Sequence, residues 1–338
     1  VSVRSVLTGD AALRAGAEAG LRWRAADPLL PAPAPLHPEC DAELAVAAPG
    51  GELLAIGSCA HWLGDPDALD LTWGAASRFE LSARVAGPAG PAVTDALDRL
   101  LGRWRGHLAS LPSAAAADTA AVIHWPSRDV SGAAALLRRG FAPLAVIAAR
   151  ATAAGARAAA GAGSAVGPKA SAPPEGVRIR RATPDDLEAL VRLGLEVIRF
   201  DAHFGGVRER PSTVAALTAE FAAMLAEPQP WMWLAERGSD PVGMLAAEKP
   251  AQAQWIAPMT GIAPAAYLLL MGVRASERGG GVGAALASTM ATEAEAAGTS
   301  VILLHYAQVN PLSAPFWSQQ GYRPLWTCWE GRPAGALR

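Results

Sequence analysis

The chain has 338 residues, enough for two domains of ordinary size. Hydrophobic residues make up 51% of it and the formal net charge is −2, a balance that supplies no basic face for nucleic acid. No apolar run approaches the roughly 18 residues of a membrane-spanning helix, and the opening residues, with Arg4 and Asp10, show no signal-peptide pattern. Cys40, Cys59 and Cys328 lack metal-ligand spacing, so the expectation is reduced thiols in a cytoplasmic protein without a metal.

In chain order, residues 1–150 open on Thr8-Gly9-Asp10, with an arginine-containing strand before it and a helix after it. A hairpin-like pair follows, 44–46 with 53–59. Arg84-Val85-Ala86-Gly87-Pro88-Ala89-Gly90-Pro91 comes next, a basic residue and two glycines interrupted by prolines that have no N–H to donate. His124-Trp125, Asp129, Gly140-Phe141 and Pro143-Leu144 close this half. Residues 151–176 are Ala-, Gly-, Ser- and Pro-rich; Gly155, Gly161, Gly163 and Gly167 break any alanine helix, and the stretch reads as a flexible linker.

Residues 177–330 are predicted as strand 177–182, helix 184–199, helix 212–226, strands 231–236, 241–248 and 265–274, helix 282–297, strand 300–307, helix 311–320 and a strand near 322–329. The fold class is α/β, an α+β mixed sheet with helices on both faces. Between strand 265–274 and helix 282–297 lies Arg278-Gly279-Gly280-Gly281-Val282-Gly283. The first amides of a helix have no intrahelical partner and its dipole is positive at that end, so strand, basic glycine loop and helix together make an anion site.

The spacing Arg278-x-x-Gly281-x-Gly283, followed by Asn310, Phe316-Trp317 and Gly321-Tyr322-Arg323-Pro324 in order, resembles the GCN5-related N-acetyltransferase (GNAT) family over roughly 177–329. Asp129, Gly140, Phe141 and Pro143 repeat Asn310, Gly321, Tyr322 and Pro324 at one constant spacing. The chain therefore resembles a tandem GNAT protein, the arrangement of mycothiol synthases, with a degenerate GNAT-like domain at 1–150, a linker at 151–176 and an active domain at 177–330.

The resemblance implies acetyl-CoA as co-substrate, lying between strands 265–274 and 300–307. Backbone at Met271, Gly272 and Val273 would hold the pantetheine arm. Gly279, Gly280, Gly281, Val282 and Gly283 would take the pyrophosphate beside Arg278, with Asn310 as a further contact and Trp317 at the cofactor. The reaction implied is direct attack of a small-molecule amine on the thioester. Glu248 and then His305 are the candidates for base, with water-relayed deprotonation without a single essential base as the alternative. The family often places an acidic tyrosine where Trp317 stands, and an indole N–H cannot release its proton in this pH range; Tyr322, Tyr306 or Ser318 would substitute, or the thiolate would leave unassisted. The acceptor is expected across 200–210 and 249–264, in a monomer or homodimer. Transfer from aminoacyl-tRNA or a carrier protein, and an acyl-CoA sensor without turnover, are the alternatives.

Overall fold

The structure, a computed structural model, describes residues 9–36, 40–159 and 171–338. Thr8 and residues 160–170 of the expected linker lie outside the described residues. In chain order the strands are β1 (Ala42–Ala47), β2 (Leu53–Leu63), β3 (Ser77–Val85), β4 (Thr119–Pro126), β5 (Ala142–Ala151), β6 (Val177–Arg181), β7 (Met232–Arg237), β8 (Asp240–Glu248), β9 (Ala265–Val273), β10 (Val301–Ala307) and β11 (Arg323–Gly331). The α-helices are α1 (Asp10–Ala26), α2 (Pro91–Ala109), α3 (Val130–Arg138), α4 (Ala153–Ala158), α5 (Leu187–Asp201), α6 (Thr213–Leu225), α7 (Val282–Ala296) and α8 (Ser313–Gln319).

Two compact units result. The first comprises Val1–Asp65, Ala75–Val146 and Pro324–Arg338; the second comprises Pro66–Gly74 and Ile147–Arg323. In the first, strand order is β1-β2-β3-β4-β11, with β1–β2 and β2–β3 antiparallel and β3–β4 parallel. In the second, the order is β5-β10-β9-β8-β7-β6, with β7–β8 and β8–β9 antiparallel and β9–β10 parallel. A helix crosses over between each parallel pair, α2 in one unit and α7 in the other. The shared succession of two antiparallel pairs and one parallel pair is what the repeated sequence pattern leads one to expect; the second unit adds β6 beside β7.

The units cut the chain differently from the halves visible in sequence. Strand β11, from the C-terminal end, lies antiparallel beside β4 in the first unit, where Trp329 joins the core with Leu97, Leu100, Trp104 and Phe141. The end of β5 falls in the second unit. There Thr152 donates to the carbonyls of Thr299 and Ser300 at 2.8 and 3.1 Å. Segment 66–74 also belongs to the second unit. Arg210 donates to the carbonyls of Leu71 and Gly74, and Leu69 and Trp73 pack on the core of Leu193, Leu217 and Phe221.

The start of the expected linker is helical. Thr152 caps α4 by accepting from the Gly155 amide at 3.2 Å. Gly155 does not break this helix; it permits close packing, because a Cβ there would overlap the Ser300 carbonyl. Sequence propensity cannot anticipate a neighbour 145 positions away, and it misassigned the turn for that reason.

Candidate functional site

In the second unit the β9–β10 ladder pairs Val301 with Ala265 and stops at Leu304 with Leu268, although both strands run on. A bulge helps them part. On the other side of β9, Ala246 faces Leu270 and Ala247 faces Leu268, which leaves Leu269 unpaired. The strands open into a cleft of about 440 Å³ floored by Leu268–Val273 and walled by His305, Tyr306, Phe316 and Trp317. Backbone groups of β9 past Leu268 on this side have no ladder partner, so they are open to a ligand.

The glycine loop closes one end of the cleft. Gly279 and Gly281 have φ +79° and +90°, a left-handed conformation that side-chain-bearing residues avoid. Gly281 is the N-cap of α7, which carries no acidic residue in its first turn. The amides of Val282, Gly283 and Ala284 precede the first intrahelical bond, made by Ala285 to Gly281 at 3.0 Å, and point out of the helix end. Arg278 is exposed, donates to the Val273 carbonyl at 3.2 Å and lies 4.8 Å over the Phe200 ring. Glu277 also lines the cleft, but its carboxylate is paired with Arg237 at 2.8 Å. The loop thus presents amides and a guanidinium to an anion.

Most of the site residues expected from sequence meet here. Met271, Gly272, Val273, Arg278, Gly279, Gly281, Val282, Gly283, Asn310, Trp317 and His305 all line the cleft. Gly280 is in the loop without lining it. Asn310 is buried and its side chain is committed on both ends: it donates to Asp201 at 2.9 Å and accepts from the Leu312 amide at 2.9 Å. Asp201, which sequence reasoning placed in the acceptor segment, therefore belongs to the cleft wall; burial pushes its carboxyl up.

Two expected roles change. Tyr322 is buried behind Trp317, its ring edge-on at 5.2 Å, and does not line the cleft. Burial pushes its phenol above the ordinary range, so Tyr306, the tyrosine that does line the cleft, takes precedence over it. His305 accepts or donates at Nδ1 with the Tyr267 hydroxyl, 3.0 Å away. Tyr267 is buried and has no other hydrogen-bond acceptor among the described residues, so its O–H goes to Nδ1. That contact engages Nδ1, one of the two ring nitrogens a base would use.

Glu248 ends β8 opposite Tyr267 of β9. It is half-buried, and desolvation together with Glu220 pushes its carboxyl up, against the hydrogen bond from Trp255 Nε1 at 2.8 Å. A carboxyl raised above its ordinary range takes up a proton more readily than an ordinary glutamate. Trp255 and Tyr267 were not singled out in sequence as partners of these groups. The signal that could have found them is their place: Tyr267 at the parallel-strand edge and Trp255 in the long segment between β8 and β9.

The first unit treats the equivalent place differently. Arg22 of α1 donates to Asp129 at 2.7 Å and to the Val85 and Gly87 carbonyls at 2.9 and 2.7 Å. The Gly87 amide donates to the Glu18 carboxylate at 2.7 Å, and the Gly90 amide to Ser131 Oγ at 3.0 Å. Arg84 turns away to the Ala34 carbonyl and lies 5.0 Å over Trp23; burial lowers its pKa to about 10. His124, the repeat of His305, is held neutral by burial and Arg78, with its pKa lowered to about 4.

A parallel strand pair that splays over a helix N-terminus capped by positive-φ glycine defines an α/β protein with an apolar slot ending in an anion cradle. Residues 200–322 match the acetyltransferase (GNAT) family; the chain carries a GNAT domain, and that stretch contains nearly all of the cleft. Among solved structures, the chain is similar to a GCN5-related N-acetyltransferase from Sphaerobacter thermophilus, at 16% identity over 86% of this chain and 80% of that one, TM-score 0.51. That likeness shows the fold. A GCN5-related N-acetyltransferase from Kribbella flavida matches at 19% identity over 87% and 92%, TM-score 0.42. A tandem GNAT protein from the clavulanic acid biosynthesis pathway matches at 14% over 94% and 95%, also at 0.42. No curated protein matches the sequence significantly. Among the described residues no His, Cys, Asp and Glu group could hold a metal, and no helix is long and apolar enough to cross a membrane.

Proposed function

We propose that the second unit is an N-acetyltransferase that moves an acetyl group from acetyl-CoA to the amine of a small molecule, with one donor site per chain. The observation that carries this reading is the cleft between the splayed ends of β9 and β10, closed by the amides of 282–284 at a helix start without acidic residues. Those amides and Arg278 suit a pyrophosphate, and the apolar floor of Leu268–Val273 suits the pantetheine arm. Bound there, acetyl-CoA supplies an acyl group activated as a thioester.

The chain's own residues divide the remaining work. Glu248 takes the proton that an ammonium acceptor must lose before its lone pair is available. Its raised carboxyl makes it a better proton acceptor than an ordinary glutamate. His305, its Nδ1 engaged by Tyr267, serves as a hydrogen-bond donor from Nε2. Trp317, buried at the cleft wall, cannot act as an acid. A free thiol has a pKa near 8.5, so the thiolate leaves without one, or with Tyr306.

The first unit is read as a degenerate copy that does not take the donor. Its loop amides are occupied by Glu18 and Ser131, its prolines give none, and Arg22 takes up the Val85 carbonyl. Calorimetric titration of the full chain with acetyl-CoA tests both statements. One site per chain is expected, and release of free thiol when primary amines are added. Two equivalent sites, or heat unaffected by changing the 279–283 loop, would overturn the assignment.

A further inference from the structure

The segment between β8 and β9 lays an exposed tryptophan on the carboxylate read above as the base. Trp255 ends a single 3-10 turn, Ala253–Trp255, with 57% of its surface exposed. Leaving an indole in water forfeits apolar burial, so a polar contact is what gives this placement its sense. Its Nε1–H donates to Glu248 Oε2 at 2.8 Å, and among the described residues that is the one hydrogen bond the carboxylate receives. The indole meets Tyr267 edge-on at 4.9 Å and lies parallel to His305 at 6.3 Å. Tyr267 in turn bonds His305 and stands opposite Glu248 across the sheet. Base, indole, phenol and imidazole form one connected cluster, of which His305 lines the cleft and Glu248 lines a separate small cavity.

We propose that Trp255 is a positioning residue for Glu248: its indole N–H fixes Oε2 and leaves Oε1 as the oxygen that takes the acceptor's proton. The inference rests on Glu248 being the base. In the step itself an N–H bond of the ammonium breaks as an O–H bond to Oε1 forms, and the proton then passes to solvent. Burial and one neighbouring carboxylate work against its ionised form. Glu220 of α6 repels it, and Glu227 and Lys249, 4.0 Å apart, compensate each other in the same small cavity of about 170 Å³. Tyr267 is neutral and His305 is joined to it through the rings. A donor on one oxygen opposes burial and repulsion by favouring the charged form.

Two measurements test this on the full-length protein. With ¹⁵N-labelled indoles, the resonance removed by Trp255→Phe should shift with pH in a single step between about pH 4 and 8, and that step should vanish in Glu248→Gln. In acetyl transfer to a panel of primary amines including ethanolamine, putrescine and 2-phenylethylamine, Trp255→Phe keeps a ring and loses the donor. The acid limb of its pH–rate profile should move up by about one pH unit. A Trp255 resonance that ignores the titration overturns the proposal, as does an acid limb that Trp255→Phe leaves in place. An acid limb that survives Glu248→Gln removes Glu248 as base, and so fails the underlying reading in a distinguishable way.

Discussion

Replacing Gly281 with valine separates the cost to the fold from the cost to the donor site. Gly281 sits at φ +90° and ψ −7° as the N-cap of α7. A Cβ there meets open space, its nearest neighbour being Pro174 Cγ at 3.9 Å. The penalty is therefore conformational rather than a clash. Holding a side-chain-bearing residue left-handed costs roughly 1–2 kcal/mol, somewhat more for a β-branched one. A unit of this size would melt about 3–8 °C lower. If the loop relaxes instead, the amides of Val282 and Gly283 turn away from the anion. Each charge-assisted hydrogen bond then forgone is worth about 1.5–3 kcal/mol, roughly 10- to 150-fold in affinity. Scanning calorimetry gives the first quantity and titration with acetyl-CoA the second. Gly280→Val is the control, since Gly280 has no positive φ and its Cβ would sit 3.4 Å from the Glu277 carbonyl; it should lose less of both. A Gly281→Val protein that melts like the parent and binds acetyl-CoA unchanged would refute the loop as the anion site.

Trp317→Tyr should keep the fold and place a phenol at the cleft wall; donor affinity falls severalfold if the indole is a wall, and acyl-transfer rate holds or rises if an acid was missing there, both read from steady-state kinetics. Arg22→Met in the first unit leaves the buried Asp129 without its cation and should cost about 3–5 kcal/mol in urea denaturation. Adding Asp129→Asn, which matches Asn310 of the second unit, should recover most of that loss; no recovery would mean the pair is not what the first unit depends on. Asp186 is held at a pKa of about 2, chiefly by the hydrogen bond from Arg180 and also by Thr183. Its folded pKa is depressed, so its contribution is present above the ordinary carboxylate range and lost as pH falls toward 2. Parent stability should therefore drop between about pH 4 and 2 more steeply than that of Asp186→Asn, measured by urea midpoints across that range.

Local pattern and repetition were enough to read much of this protein from its sequence. The elements of residues 177–330 fall within a few positions of their expected bounds, because each is written in nearest-neighbour terms: a stripe along α5, an apolar run in β9, a glycine at the start of α7. The repeat of Asn310, Gly321 and Pro324 at Asp129, Gly140 and Pro143 announced the second unit for the same reason. What tertiary structure alone decided are the relations between distant residues. Strand β11 joins the first unit, where Trp329 is buried in the core with Leu97, Trp104 and Phe141. Position 155 takes a glycine inside a helix because a Cβ there would overlap the Ser300 carbonyl. Tyr322 falls behind Trp317 while Tyr306 faces the cleft, since which side of the wall a ring takes depends on how α8 packs. Glu248, Trp255, Tyr267 and His305 are brought together by the β8–β9 register and the parting of β9 from β10. Hydrogen-bond partners across a sheet leave no periodic trace in the chain, so they had to be seen in three dimensions.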